Sequence, residues 1–322
     1  MADSKDRKPV VSIVSLTYNH APYIRECLDG FLMQKTDFPF EVIIHDDAST
    51  DGTSDIIREY AAKYPDIIKP IIQTENQYSK HRNFFKILTD VINHGQGEYV
   101  ALCEGDDYWT DENKLQKQFD VLESNRNAGL CYTGVKCLKD GAFSDNKTYT
   151  KYFKTFNQLL FDGNCIPTLT TVFRKSLFYS FINDILSQIE FPLLMADYPL
   201  WLYISLKSDI IPIEAETGVY RELENSASHS DDINKDVAFI KNYYDIRCFF
   251  MRKYTDHVSN GLKILNSTLF RQYFSRYVRK NKDYAKFAED ALEHTDYSVL
   301  RKLAFLFLLK SRFIAKTIIS VK

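Results

Sequence analysis

Short apolar runs alternate with amphipathic segments over the first 103 residues, and this alternation constrains the fold more than any other feature. Four runs are too short for buried helices and rich in β-branched residues, so we predict strands at 10–16, 40–45, 67–73 and 98–103. Between them, helices are predicted at 22–34, 53–64 and 83–94. This β-α-β-α-β-α-β order is typical of a mostly parallel α/β sheet covered by helices on both faces.

The pattern changes beyond Trp109. We predict a helix at 113–125, strands at 128–135 and 168–173, and a helix over 200–206. From residue 236 onward the periodicity is helical throughout. The chain therefore reads as one α/β domain followed by a helical C-terminal extension.

Cysteine usage and hydropathy bear on the compartment. The six cysteines form no C-x-x-C pair, and several lie in apolar runs where a free thiol behaves as a small hydrophobic group. The sequence MADSKDRKPV lacks the apolar core of a secretory signal. No apolar stretch approaches the roughly 20 residues that a spanning helix needs. We therefore expect a reduced, cytoplasmic protein.

Charge is divided unevenly along the chain. The whole carries 41 basic and 43 acidic residues, yet residues 241–322 hold 17 Lys or Arg against 7 Asp or Glu, a net +10. The remainder is therefore at −12. In the basic region, charges interleave with aromatic residues, as in the run from Phe270 to Lys280. Two readings remain open, a solvated helix face and a contact with an anionic membrane surface. Nucleic acid is disfavoured because no recognised binding motif accompanies the charge.

Two acidic pairs follow predicted strands. Asp46-Asp47 follows the second strand and Asp106-Asp107 the fourth, so all four carboxylates are expected at the sheet edge where open α/β sheets bind ligands. A divalent cation with a bound diphosphate would relieve their repulsion. The alternative for Asp47 is that it caps the following helix. Neither G-x-G-x-x-G nor a P-loop is present, which argues against a dehydrogenase or a Walker-type ATPase.

Three of these stretches, 10–34, 40–57 and 97–109, closely resemble the inverting family 2 glycosyltransferases of bacteria, and the resemblance extends over about 10–220. It implies the GT-A fold, an α/β sandwich that binds nucleotide-diphosphate sugars. On this basis the predicted organisation is a flexible leader at 1–9, a GT-A domain at 10–235 and a basic helical region at 236–322. The nucleotide-sugar half would cover about 10–110 and the acceptor half about 111–235.

The resemblance implies roles for the donor side. Tyr18, in the T-Y-N turn, resembles the residue that stacks on the nucleotide base, and Asp47 the acceptor of the base's ring N–H. Arg82 would reach the nucleotide or its phosphates. Asp106 would face ribose or metal, and Asp107 would bind the Mn²⁺ or Mg²⁺ that bridges the diphosphate.

Other candidates follow from later motifs. Asp197, in M-A-D-Y-P-L-W, stands where the family has its general base at the head of a helix, although an N-cap is an alternative. Arg221 could neutralise the diphosphate. Tyr198 and Trp201 could form an apolar platform for an acceptor sugar, although a core role is an equally plausible alternative for Trp201. His229 could be a metal ligand, with a lone surface histidine as its alternative. Glu104 replaces the first aspartate of the family's D-x-D-D pattern, which leaves its role open.

The sequence thus predicts a metal-dependent inverting glycosyltransferase that uses a UDP-sugar and a saccharide acceptor. The basic region, residues 241–322, suggests an acceptor linked to undecaprenyl diphosphate at the inner membrane surface, in capsule or O-antigen synthesis. No nucleic-acid partner is predicted. Two alternatives belong to other classes. A non-catalytic membrane-surface adaptor would need only the basic region, and a sugar nucleotidyltransferase would need a glycine-rich basic loop that residues 17–22 do not provide.

Overall fold

The structure is a computed structural model that describes residues 7–81, 83–144, 151–223, 232–279 and 284–310. The described residues up to 223, apart from Leu160–Asp162, form one compact unit. Leu160–Asp162 and the described residues from 232 onward form a second unit. Most of the predicted leader, residues 1–6, lies outside the described residues.

The described part of the first unit contains nine strands in one sheet. They are β1 Val11–Thr17, β2 Phe40–Asp46, β3 Ile68–Ile72, β4 Tyr99–Leu102, β5 Tyr108–Trp109, β6 Ala128–Lys139, β7 Ala142–Ser144, β8 Val172–Arg174 and β9 Asp209–Arg221. The spatial order is β3-β2-β1-β4-β8-β6-β9-β5, and β7 pairs with β6.

The sheet is parallel on one side and mixed on the other. The pairs β3–β2, β2–β1 and β1–β4 are parallel, as predicted for the first half of the chain. β8 then runs antiparallel to both β4 and β6, β9 is parallel to β6, and β5 is antiparallel to β9. The α/β class is therefore confirmed, and the second half of the sheet is more mixed than the strand pattern predicts.

Helices cover the sheet and build the second unit. In chain order they are α1 Ile24–Leu32, α2 Thr53–Lys63, α3 Gln77–His81, α4 Phe84–His94, α5 Lys114–Ser124, α6 Phe156–Asp162, α7 Lys175–Asp184, α8 Asp197–Lys207, α9 Ile233–Tyr254, α10 Val258–Arg279, α11 Tyr284–Glu293 and α12 Val299–Lys310. α1 buries its Ile24, Cys27, Leu28 and Phe31 against the sheet, the face that its periodicity predicts. All six cysteines are free and buried.

One predicted strand is partly wrong. The threonine-rich run at 168–173 is a strand only from Val172, because Thr168–Thr170 forms a 3₁₀ turn. The Pro167 carbonyl accepts hydrogen bonds from both the backbone N–H (3.0 Å) and the hydroxyl (2.7 Å) of Thr170. A local side-chain bond of this kind competes with an extended strand, so β-propensity alone gives the wrong answer here.

The second unit has its own apolar core, which is built largely from aromatic side chains of α10 to α12. A buried carboxylate ties its helices together. Asp236 on α9 accepts hydrogen bonds from Arg276 Nε (2.7 Å) and the Tyr284 hydroxyl (2.6 Å). Among the described residues, no helix combines the length and the apolar character required to span a membrane.

Candidate active site

Parallel pairing brings the ends of β1, β2 and β4 to one edge of the sheet. Thr17 is in register with Asp46, so the turn that carries Tyr18 lies beside the loop that carries Asp47. The loop after β4 joins them, because the Gly105 N–H donates to the Leu16 carbonyl at 3.0 Å. A Cβ at Gly105 would lie 2.6 Å from Thr17 Oγ1, so this approach requires glycine.

The loops after β1 and β2 brace each other. Asn19, at φ 55°, accepts a hydrogen bond from the Thr50 N–H (2.9 Å), and its own N–H donates to Ser49 Oγ (2.8 Å). Asp51 Oδ2 accepts from the Ala21 N–H at 2.9 Å. These crossed contacts hold the turn so that Tyr18 is 47% exposed. An exposed ring on a fixed loop suits stacking on a planar ligand.

Asp47 is buried and held by α3. Its carboxylate oxygens accept from the backbone N–H groups of Gln77 (2.6 Å) and Tyr78 (3.0 Å). Asn76 Nδ2 also donates to its carbonyl, at 3.0 Å. Asp47 therefore does not cap α2, which follows it in sequence. Each carboxylate oxygen has two lone pairs, so an N–H from a ligand can still be accepted. Arg82 lies outside the described residues.

The loop after β4, residues 103–107, contains Glu104, Asp106 and Asp107, and we call it the acidic loop. Burial, followed by repulsion from Asp106, raises the pKa of Glu104 to about 8. Burial together with Asp106 and Glu104 holds the pKa of Asp107 well above its usual range. The side chain of Asp106 is one-fifth exposed, with Oδ1 at 3.9 Å from His20 Nδ1. Such a cluster favours a cation supplied from outside the protein.

Arg221, at the end of β9, places a guanidinium next to this loop, and the hydrogen bonds of that guanidinium go to groups other than the Asp106 and Asp107 carboxylates. Its backbone N–H donates to Asp107 Oδ1 at 2.8 Å, whereas its guanidinium donates to the Asp106 carbonyl and to Glu26. The guanidinium also lies 5.0 Å from the Tyr23 ring and 4.5 Å from the Tyr108 ring. Arg221 thus joins α1, the acidic loop and β9, and its contact with a diphosphate stays a prediction.

Asp197 opens α8 as its first residue and is not the N-cap, which is Ala196. Its Oδ2 accepts a hydrogen bond from Asn164 Nδ2 at 2.9 Å. Burial raises the pKa of its carboxyl, and its charge in turn contributes to the raised pKa of Glu104. Asp197 therefore lies near the acidic loop although 90 residues separate them. A raised pKa brings a carboxylate closer to the range where a general base works well.

Tyr198 and Trp201 belong to the core in this structure. Both are fully buried. The Tyr198 hydroxyl donates to the Leu159 carbonyl at 2.7 Å, and the Trp201 ring packs edge-on against Phe173 at 5.7 Å. Their placement gives no support to the acceptor platform, because a buried ring offers no face to a sugar. The alternative reading of Trp201 as a core residue agrees with its burial, and Tyr198 is buried as well.

No group of three His, Cys, Asp or Glu among the described residues is arranged to hold a metal ion. Divalent cations such as Mg²⁺ commonly take further ligands from substrate phosphates and water. The predicted metal ligand His229 lies outside the described residues. Asn164, which hydrogen-bonds to Asp197, lies in the turn before the threonine-rich run, and that position in the sequence does not indicate which carboxylate it contacts.

Together the sheet and its loops form a GT-A fold. A model of the family described as "Glycosyl transferase family 2" matches residues 12–181, more than half of the chain. The chain therefore belongs to glycosyl transferase family 2, which confirms the resemblance drawn from its motifs.

The chain is also similar to individual proteins. An uncharacterized protein of Mycobacterium tuberculosis is 39% identical over 222 residues, which cover 68% of this chain and 61% of that protein. The chain thus spans under two thirds of that relative. A putative teichuronic acid biosynthesis glycosyltransferase of Bacillus subtilis, TuaG, is 32% identical over 155 residues, or 48% of this chain and 58% of TuaG. The S. aureus TarS 1-349 structure in complex with UDP-GlcNAc superposes with a TM-score of 0.63 at 18% identity, covering 95% of this chain and 88% of the TarS 1-349 chain.

Proposed function

We propose that the protein transfers a sugar from a nucleotide-diphosphate donor, a UDP-sugar, to a saccharide acceptor with inversion at the anomeric carbon. The observation that supports the proposal is that the charges of Asp106 and Asp197 both act on buried Glu104, in a loop that is hydrogen-bonded to the strand before Tyr18. The likeness to TarS, solved with UDP-GlcNAc, supports a uridine donor.

On the donor side, Tyr18 stacks on the base and Asp47 accepts its ring N–H. α3 fixes the Asp47 carboxylate before the donor arrives, so no side-chain freedom is lost on binding. Arg221 and Arg82 are proposed to act on the diphosphate.

The acidic loop fits a divalent cation, Mn²⁺ or Mg²⁺. Its carboxylates are hard oxygen ligands, and their raised pKa values reflect burial and mutual repulsion that a cation would relieve. Asp107 would hold the ion, with Asp106 beside it and His229 as a further proposed ligand. When bound, such an ion neutralises charge on the departing nucleoside diphosphate.

Asp197 is the proposed base. Its carboxylate takes the proton of the acceptor hydroxyl while that oxygen bonds to the anomeric carbon and the bond to the diphosphate breaks on the opposite face. Asn164 fixes the orientation of the carboxylate. General base catalysis of this kind contributes roughly 10²–10⁴-fold.

We further propose that the acceptor is a lipid-linked saccharide, carried on undecaprenyl diphosphate, in the synthesis of a cell-surface polysaccharide such as capsule or O-antigen. The +10 charge of residues 241–322 supports work at the inner membrane surface. The likeness to TuaG supports a cell-surface polymer.

The test is consumption of a panel of UDP-sugars by the full chain with Mn²⁺ and lipid-linked acceptor extracts. Asp197→Asn keeps the acceptor oxygen for Asn164, so we expect donor binding to remain and turnover to fall by about 10²–10⁴-fold. Asp209→Asn, at an exposed position in the same unit, is the control and should be unaffected. Normal turnover in Asp197→Asn contradicts the assignment of the base, and release of pyrophosphate from UTP and a sugar phosphate would instead identify a nucleotidyltransferase.

A further inference from the structure

Helix α12 is apolar on two faces. One face packs inside the second unit, where the Phe305 ring lies 4.7 Å from that of Phe270 and 5.4 Å from that of Phe274. The opposite face is exposed. Val299, Leu300, Leu303 and Phe307, which we call the outer stripe, are 73%, 80%, 57% and 60% exposed.

The outer stripe is continuous. Val299, Leu303 and Phe307 are spaced by four residues, and Leu300 is three residues before Leu303, so all four lie on one side of the helix. Scattered exposed apolar residues are normal, but a contiguous apolar strip marks a surface that contacts something. α12 contributes Phe305 and Leu309 to the core of the second unit, and the residues of the outer stripe are not part of that core.

The charge around the outer stripe is of one sign. α12 carries Arg301, Lys302 and Lys310 and no acidic residue. In sequence, residues 299–322 hold six Lys or Arg and no Asp or Glu. Arg301 and Lys302 lie toward the packed side of α12, because the Arg301 guanidinium is 4.4 Å from the Tyr297 ring and Lys302 Nζ donates to the Glu293 carbonyl at 3.0 Å. An exposed apolar strip on a helix whose charged residues are all basic is typical of helices that lie in the interface of an anionic bilayer.

We propose that the outer stripe of α12 inserts into the surface of an anionic phospholipid membrane, to which the net basic charge of residues 299–322 attracts it. The 12 residues of α12 extend about 18 Å, short of the roughly 30 Å hydrocarbon core, so the helix lies in the interface and does not cross. A second copy of the chain is a poorer occupant, because two helices that carry basic residues and no acidic residue would repel each other.

This inference deepens the membrane part of the proposed function by naming the helix and the lipid class. Vesicle binding needs neither donor nor acceptor, so it can fail or succeed independently of sugar transfer. Binding without transfer would leave the inference intact, and transfer to a soluble acceptor without vesicle binding would overturn it alone.

The experiment is vesicle flotation of the full chain, without nucleotide, on phosphatidylcholine vesicles with and without phosphatidylglycerol. We expect the wild type to partition at least about tenfold more strongly onto the anionic vesicles, and the preference to weaken in high salt. L303E/F307E should lose at least about tenfold of this binding. F143E, which alters an equally exposed aromatic residue (64%) in the first unit, is the matched control and should bind like the wild type.

A second variant tests the contribution of the basic charges separately from that of the apolar residues. K302Q/K310Q leaves the outer stripe intact and should reduce the preference for anionic vesicles. Equal flotation of L303E/F307E and wild type contradicts the inference, as does wild type that floats on neither vesicle. Light scattering gives the third contradicting outcome: a wild-type dimer that L303E/F307E dissociates, with vesicle binding unchanged, would identify a second copy as the occupant.

Discussion

Lys114 is a fully buried lysine whose Nζ has no hydrogen-bond partner among the described residues. It lies 4.0 Å from the centroid of the Trp109 ring, at the start of α5. Burial lowers its pKa from 10.5 to about 7. The charged form is therefore disfavoured in the folded protein and free in the unfolded chain.

The lowered pKa of Lys114 makes the folding stability depend on pH. Between pH 7 and pH 10.5 the unfolded chain binds more protons than the folded protein, so folding stability rises with pH across that window. Below pH 7 the full penalty is present. The difference between 10.5 and about 7 corresponds to about 5 kcal/mol. The contact with Trp109 offsets up to about 2 kcal/mol of it.

The substitution Lys114→Met keeps an unbranched side chain at this position and removes the amine. We expect this variant to be more stable than wild type by about 3–5 kcal/mol at pH 6, and the difference to shrink as the pH approaches 10. Urea unfolding at pH 6, 8 and 10 measures it. Lys117→Met, on the exposed side of α5, removes an ion pair with Asp111 (2.6 Å) and should change stability by under about 1 kcal/mol. A difference between wild type and Lys114→Met that does not vary with pH would refute the reasoning.

Two further predictions concern the proposed site. Tyr18→Ala should weaken UDP binding by about 5- to 10-fold, since stacking of this kind is worth about 1 kcal/mol. Titration calorimetry measures the affinity, and a variant that binds UDP as tightly as wild type would argue against stacking. Asn164→Ala removes a hydrogen bond that lowers the pKa of Asp197. Because the base must be ionised, the acidic limb of the pH–rate profile should move to higher pH, and an unchanged limb would argue against Asn164 as a positioning residue.

Local sequence patterns predict the first half of the fold well. The strands predicted at 10–16, 40–45 and 98–103 are found at Val11–Thr17, Phe40–Asp46 and Tyr99–Leu102. Each is a buried apolar run between clear turns, so its identity depends on residues within the run. The edge that gathers Tyr18, Asp47 and Asp107 follows from parallel order alone.

Other features depend on residues distant in sequence. β9 was not predicted, because Asp209–Arg221 is partly buried and lacks strict alternation, and its pairing with β6 provides its register. The contact of Asn164 with Asp197 joins residues 33 apart. Burial of Trp201 depends on where Phe173 lies. A lysine in an amphipathic helix is ordinarily exposed, so only the packing around Trp109 reveals that Lys114 is buried.

The proposed function depends on binding of a nucleotide to the acidic loop through a divalent cation. Thermal unfolding of wild type and Asp107→Asn, with UDP and with or without Mn²⁺, tests it most directly. Asparagine keeps the acceptor for the Arg221 N–H and removes a carboxylate whose pKa is raised by burial, so the variant should fold. At about 100 times its dissociation constant, UDP should stabilise wild type by about 2.7 kcal/mol in the presence of Mn²⁺, with little effect without the metal or in Asp107→Asn. Equal stabilisation of both proteins by UDP with Mn²⁺, or no shift of the wild-type midpoint under those conditions, would contradict this role of the acidic loop.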